Sequence, residues 1–347
     1  MKPTENVPLS RWTTFGLGGP ARWFLEATSR DDVAAGVAWA RARELPLFVL
    51  GGGSNLLVAD SGFPGVVLRV AIRGIRAVGA PEILEVGAGE DWDGFVAHAV
   101  ALGLGGIECL SGIPGTVGGT PVQNVGAYGQ EVSTAIRRVD AFDRQSDRMV
   151  TLTPMDLGFA YRRSILNSTA AGRYIVLRVT YELGRDAAPC IAYRDVARVF
   201  AASSATPSLQ QVRDAVRGIR RDKGMLIVDG DPDCRSAGSF FKNPVIDTAA
   251  FEALAGRLDG ELPRFPAADG FVKVPAARLI EAAGFARGYR RGGAAISSKH
   301  TLALVNRDHA TTADVVALAR EIRDTVRDRF GVTLVPEPIF LGFAAPF

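Results

Sequence analysis

Hydrophobic positions along the chain fall into helical and strand-like runs. Ser29 and Asp32 have the spacing of a capping box, Val33 and Val37 begin an apolar face behind them, and together they predict a helix over residues 31–43. The short apolar run Leu47–Leu50 predicts a strand that enters Gly51-Gly52-Gly53-Ser54-Asn55 directly, and Val66–Val70 and Ile83–Val86 predict two more. Residues 91–102 read as a helix with Trp92, Phe95, Val96 and Ala99 inward and Gly103 as its C-terminal cap. The texture then turns to β: Arg138–Phe142 and Met149–Leu152 flank a polar turn, and residues 174–183 alternate with Ile175, Leu177, Val179, Tyr181 and Leu183 on one face. A helix is expected to start at Ser208, with Val212, Val216 and Ile219 inward and Arg213, Arg217, Arg220 and Arg221 on a solvated face. The polar stretch Asp229–Gly238 reads as a domain boundary. Beyond it come a short helix, Pro275–Ala283, and a longer one, Ala313–Phe330, the latter with Thr311 and Asp314 as a capping box and Gly331 as its stop. The last segment, Val332–Leu341, is strand-like but broken by Pro336-Glu337-Pro338.

Two segments follow neither period. Gly51–Asn55 places bare backbone amides at the end of a strand, where an anion can approach closely or a tight turn needs positive φ. Ser111–Gly129 (SGIPGTVGGTPVQNVGAYG) is long, irregular and dense in glycine, with Ser111, Thr116, Thr120, Gln123 and Asn124 adding side-chain hydrogen-bonding groups. Irregular chain of that length inside a compact protein is usually functional. The phosphate-loop pattern of nucleotide triphosphatases is absent, and the G-x-G-x-x-G fingerprint fails because position 56 is leucine. A ligand with a pyrophosphate and a flat polar ring system, which describes a dinucleotide cofactor, would use both loops.

Composition narrows the class. With 47% hydrophobic and 22% charged residues over 347 positions, the chain can bury two or three domain cores and is neither disordered nor fibrous. Forty basic against 37 acidic residues give a net charge of +3, poor evidence for a nucleic-acid partner. No apolar run is long enough to span a bilayer, and residues 1–14 lack the apolar middle of a signal peptide. Cys109, Cys190 and Cys234 have no paired spacing, so neither a disulfide framework nor a metal site is expected, and the setting reads as cytoplasmic.

In its motifs the chain resembles the UDP-N-acetylenolpyruvoylglucosamine reductase family, flavoenzymes of peptidoglycan precursor synthesis. The resemblance rests on Thr14-Phe15-Gly16-Leu17-Gly18-Gly19, Leu50–Asn55, Ser111–Gly129, Tyr161-Arg162-Arg163-Ser164, Ala237–Pro244 (AGSFFKNP), Ala276–Gly284 and Pro336-Glu337-Pro338, in the family's order and over nearly the whole chain. It implies an α+β fold with a two-part FAD-binding domain of the vanillyl-alcohol-oxidase (PCMH-like) type and a C-terminal α+β substrate domain. The implied parts are 1–72, to which 335–347 returns, then 73–228, then 229–334. The segment around Tyr193 resembles the longer, tyrosine-loop branch of the family. The implied reaction is NADPH-dependent, FAD-mediated reduction of UDP-N-acetylglucosamine enolpyruvate to UDP-N-acetylmuramate, by a monomer acting on small molecules with no nucleic-acid or membrane partner.

The family's roles carry over onto matching positions. Arg162 grips the substrate carboxylate, for which a guanidinium is suited by its two-pronged hydrogen bonding. Ser239 matches the proton donor at the α-carbon. Glu337, stiffly held between two prolines, orients a water, passes the proton or helps stabilise the enol. Asn243 matches the nucleotide-sugar contact, and Lys223 and Tyr193 match the diphosphate lysine and the loop tyrosine. The cofactor positions are Gly51, Gly52, Gly53, Ser54 and Asn55 in the first loop. In the second they are Ser111, Gly112, Ile113, Pro114, Gly115, Thr116, Gly118, Gly119, Asn124, Gly126, Ala127 and Tyr128. No histidine or cysteine lies in either loop, so the flavin is expected to be non-covalent. Two alternatives stand beside this reading. An alcohol or hydroxy-acid oxidase of the same fold would keep the loops but not the AGSFFKNP and Pro-Glu-Pro blocks. A catalytically dead nucleotide-sugar sensor would be expected to lose Arg162, Ser239 or Glu337.

Overall fold

The computed structural model describes residues 1–345 and 347. The chain divides into two compact units. The first comprises Met1–Val7, Ala21–Gly53 and Phe63–Asp222; the second comprises Pro8–Pro20, Ser54–Gly62 and Lys223–Phe347. The main boundary thus falls at Asp222/Lys223, ahead of the polar stretch at 229–238. Segments 8–20 and 54–62 count with the C-terminal body.

The first unit is built on two sheets. One has the strand order Thr4–Pro8, Pro20–Ala27, Phe63–Val70, Leu47–Leu50, its last three strands parallel. The other is antiparallel, in the order Arg148–Leu152, Ile136–Asp143, Tyr174–Glu182, Ala80–Gly87, Ile75–Val78. The Arg30–Arg41 helix starts at the expected Ser29/Asp32 capping box and buries Val33, Val37 and Ala40. The Trp92–Ala101 helix turns Trp92, Phe95, Val96 and Ala99 inward as expected, and Asp91 caps it through Gly94 N. Trp92, Phe95 and Tyr181 form an aromatic cluster with ring centroids 4.9–5.9 Å apart. Tyr174–Glu182 departs from a half-buried strand, because Val176 and Thr180 on its other face are buried too. A strand covered on both faces needs no clean alternation.

The second unit gathers Phe240, Phe241, Leu279, Ile280, Leu318 and Ile322 into one core. Its long helix, Thr312–Phe330, has the expected Thr311/Asp314 capping box and a left-handed Gly331 stop. Asp60 adds a second cap by accepting from Thr312 N at 2.8 Å and Ala313 N at 2.9 Å. Only Ile339–Leu341 of the predicted C-terminal strand forms, parallel to Leu56–Val58; Pro336 and Pro338 interrupt the ladder before it. No helix among the described residues is long and apolar enough to cross a membrane.

Candidate functional site

In the first unit the two glycine loops abut. A Cβ on Gly52 would lie 2.4 Å from Gly115 Cα and 2.9 Å from Thr116 N, and one on Gly51 would lie 2.8 Å from Thr116 Oγ1. Only glycine permits this backbone-on-backbone approach. The main-chain N–H groups of Gly52, Gly53, Gly115 and Thr116 find no acceptor among the described residues. Thr116 Oγ1 is buried and likewise unpartnered. Gly52 is exposed and Gly115 and Thr116 are partly so, which leaves these amides open to a ligand, and the buried, unpartnered Thr116 hydroxyl beside them marks a place a ligand completes. Neither loop carries an acidic or basic side chain. The residues present therefore fit a pyrophosphate held by neutral amides, as FAD requires.

The second loop is held from behind by charges. Asp93, in the first turn of the Trp92–Ala101 helix, accepts from Gly112 N at 2.6 Å. It pairs with Arg213 at 2.5 and 3.0 Å and with Arg217. Arg220 Nε donates to Gly112 O at 3.0 Å, so both sides of that peptide are fixed. Burial pushes the Asp93 carboxyl up, but the Arg213 hydrogen bond, Gly112 N–H and the charges of Arg213 and Arg217 outweigh it and hold the group below the usual aspartate range. Burial lowers the Arg220 pKa, with Tyr128 and Asp93 opposing. The expected solvated face of the Leu209–Asp222 helix is thus corrected: Arg213 and Arg220 are buried and only Arg221 among the four is well exposed. Positions 213, 217 and 220 share one helical stripe, and their carboxylate partner lies more than a hundred residues earlier, where charge patterning along the helix cannot show it.

Further along the loop, Ser111 Oγ donates to Glu108 O at 2.6 Å. Gly118 N donates to Ala88 O, and a Cβ there would meet Ala88 Cβ at 2.7 Å. Asn124, left-handed at φ 46°, spends its side chain internally: Nδ2 donates to Glu131 and to Ala160 O, and Oδ1 accepts from Ser133 N. Its part in the loop is to shape it. Tyr128 stacks edge-on against Tyr193, centroids 5.4 Å apart, and Tyr193 is 44% exposed. The segment bearing Tyr193 is tied to the loop by Glu108, which sequence reasoning missed. Its buried carboxylate accepts from Cys190 N and Gln130 Nε2, both at 2.9 Å, while Gln130 accepts from Cys109 N. Burial, then the neighbouring Glu108, pushes the Cys109 thiol up, so it is an inert part of this clamp.

Arg162 occupies the tip of a tight turn closed by paired bonds between Ala160 and Arg163. Its φ is 54°, a conformation that costs a non-glycine residue free energy. Its Nη2 donates to Gly126 O at 2.7 Å, which aims the guanidinium along the second loop.

The second unit collects the remaining residues. The Gly238–Lys242 segment lies between two others: Phe240 N donates to Leu302 O at 2.7 Å, Glu337 N donates to Phe240 O at 2.8 Å, and Lys242 N donates to Val335 O. Ser239, bridged to Ala303, and Glu337, bonded to Phe240, thus lie on neighbouring segments, although nearly a hundred residues separate them. Asn55 Nδ2 donates to Glu337 O at 3.3 Å, and Ile339 N donates to Asn55 O, so the end of the first glycine loop joins this cluster. Asn243 Oδ1 accepts from Ala276 N, capping the Ala276–Ala282 helix, and its amide donors have no acceptor among the described residues. Lys223 is half-buried at the start of this unit. Among the described residues, no group of three or more His, Cys, Asp or Glu could hold a metal ion.

Comparison with known proteins gives the same picture. A family model described as FAD binding domain matches residues 21–152, and one described as UDP-N-acetylenolpyruvoylglucosamine reductase, C-terminal domain, matches residues 231–341. The chain is 47% identical over 349 residues to the UDP-N-acetylenolpyruvoylglucosamine reductase of Thermobifida fusca, covering 97% of this chain and 98% of that one. It is 47% identical over 351 residues to the protein of the same name from Streptomyces coelicolor, covering 98% and 90%. Among solved structures, the reductase of Thermus caldophilus superposes with a TM-score of 0.67 at 28% identity, covering 98% of both chains. The α+β fold with a FAD-binding part and a distinct C-terminal part is thus as expected.

Proposed function

The chain belongs to the UDP-N-acetylenolpyruvoylglucosamine reductase family, and on that premise we propose that it reduces the enolpyruvyl double bond of UDP-N-acetylglucosamine enolpyruvate, giving UDP-N-acetylmuramate, with FAD as resident cofactor and NADPH as reductant. The observation that supports this most directly is the abutment of two uncharged glycine loops with open amides and the unpartnered Thr116 hydroxyl. Gly51–Asn55 and the glycine, Ser111, Ile113, Pro114, Thr116, Ala127 and Tyr128 positions of the second loop hold the cofactor, and Asn124 shapes that loop. FAD, when bound, supplies the hydride that adds to the β-carbon.

The chain's own residues do the rest. Arg162 binds the substrate carboxylate and steadies the negative charge that grows there. Ser239 gives a proton to the α-carbon. A hydroxyl is a weak acid, so it needs support, and the bond from Glu337 N to Phe240 O, next to Ser239 in the chain, supports Glu337 as its source. The carboxylate of Glu337 orients a water, relays the proton or stabilises the enol. Asn243 contacts the nucleotide sugar through its uncommitted amide, and Tyr193 and Lys223 take the diphosphate. The three-part division at 1–72, 73–228 and 229–334 is retained as part of this proposal, supported by the two separate sheets of the first unit. So are a monomeric state and a cytoplasmic setting.

Anaerobic stopped-flow absorbance tests the reading. NADPH should bleach the bound flavin, and the enolpyruvyl nucleotide should restore it. Ser239→Ala should retain normal bleaching and lose about 10²–10⁴ in the rate of restoration. Failure of the enolpyruvyl nucleotide to reoxidise the bleached wild-type protein would overturn the assignment. Near-normal restoration in Ser239→Ala would move the proton-donor role to Glu337 acting through water.

A further inference from the structure

We propose a second ligand site in the first unit: a cleft that takes a small molecule with a carboxylate head and an apolar body, the head held by Arg144. The cleft has a volume of about 660 Å³ and lies between the end of the Arg30–Arg41 helix, the start of the Leu47–Leu50 strand and the loops at Arg144 and Gly172. Val37, Leu45 and Leu47 give it an apolar wall, and Arg41, Arg144 and Arg173 give it a cationic one. None of these residues belongs to the glycine loops or to the residues assigned to chemistry.

The three arginines differ in how their charge is answered. Arg173 donates to Asp143 at 3.0 and 2.7 Å. Arg41 donates to Asp147 at 2.6 and 3.0 Å. Among the described residues Arg144 has no carboxylate partner: Nη1 donates to Gly172 O at 2.7 Å, and Nε is buried with no acceptor. Burial, then the charge of Arg41, lowers the Arg144 pKa. A guanidinium with an unanswered Nε, beside a second cation, is costly until an anion completes it. A turn of the Arg144 side chain that brings Nε and Nη2 to the cleft presents an edge that matches a carboxylate, which accepts two parallel hydrogen bonds. Asp143 and Asp147 already answer Arg173 and Arg41, and Glu44 adds a negative charge to the lining, so the one cation left without a carboxylate, Arg144, suits a singly charged head better than a dianionic phosphate. The apolar wall calls for several methylene groups behind that head.

Isothermal titration of the FAD-loaded protein with octanoate tests this, with acetate, inorganic phosphate and octanol as head-only, dianionic and body-only probes. Octanoate should bind at least tenfold more tightly than any of the three. Arg144→Gln should abolish that preference while leaving octanol binding, flavin content and turnover unchanged. Ala171→Trp, which fills the exposed mouth of the cleft without touching the core, should weaken octanoate and octanol together. Octanoate binding equal in wild type and Arg144→Gln, or no octanoate heat up to its solubility limit, would overturn the proposal. Tighter binding of phosphate than of octanoate would equally overturn the choice of a singly charged head.

Discussion

Replacing Asp93 by asparagine separates charge from hydrogen bonding at the support of the second glycine loop. The asparagine Oδ1 can still accept from Gly112 N, but the buried Arg213 and half-buried Arg217 lose their counter-charge. Breaking a buried ion pair by removing one partner costs about 3–5 kcal/mol. The Asp93 side chain retains 23% exposure, so water answers part of the loss and about 2–3 kcal/mol is expected. For a unit of this size each kcal/mol moves the melting temperature by about 2–4 °C, giving a drop of roughly 5–10 °C. FAD affinity should fall less than tenfold in Asp93→Asn, because the Gly112 anchor survives. Asp93→Ala removes that anchor as well, and a charged hydrogen bond of about 1.5–3 kcal/mol predicts about a 10- to 100-fold weaker FAD complex. Thermal melts of the apoprotein and flavin-fluorescence titrations give both quantities. Adding Arg213→Met to Asp93→Asn should recover stability, since the cost is an orphaned cation. A melt within 1 °C of wild type in Asp93→Asn, or a further loss in the double variant, would refute the reasoning.

Arg162→Lys keeps the charge but loses the fork, so NADPH should still bleach the flavin while reoxidation by the enolpyruvyl nucleotide falls at least about tenfold; equal loss of both half-reactions would show that Arg162 is not specific to the substrate carboxylate. Gly52→Ala drives a methyl into the Gly115 backbone, so the purified protein should come without flavin although the second unit stays folded by limited proteolysis. The Asp93 pKa is depressed in the folded protein, so its contribution is complete above its ordinary value of 3.8 and is lost as pH falls through the lower folded value. The melting-temperature gap between wild type and Asp93→Asn should therefore be constant from about pH 8 to 5 and close at more acid pH; a gap that closes between pH 8 and 6 would point to another group.

Helices were the most legible feature, because their signals are local. Ser29 with Asp32, and Thr311 with Asp314, are three residues apart in sequence and form the same bonds in space that their spacing predicts. The parallel pairing of Ile339–Leu341 with Leu56–Val58 depends on a contact between segments 283 residues apart, and its periodicity carried no trace of it. The glycine loops were legible as candidates, since the absence of any period is itself a local signal. That they abut is a tertiary fact, visible only in the atoms a Cβ would strike.

The chemistry shows the same division more sharply. A sequence presents Arg213, Arg217 and Arg220 as charges on a helix, and the ordinary expectation for such charges is water. What buries two of them is a single carboxylate on another helix and the carbonyl of Gly112, a glycine whose own side chain says nothing. Ser239 and Glu337 pose the opposite case. Neither residue has a local pattern that names a partner, and what sets them on neighbouring segments is a hydrogen bond between the backbones of Phe240 and Glu337, which any pair of residues could make. Side-chain identity therefore had to come from family motifs, and proximity from the fold. The two prolines around Glu337 connect these levels. Pro336 and Pro338 donate no N–H, so Glu337 N is the only donor of the three, and it is spent on Phe240 O. Replacing either proline would leave that bond possible but no longer exclusive. The rigidity that ties the Glu337 backbone to Phe240 is in this sense written in the sequence, while its acceptor is known only from the fold.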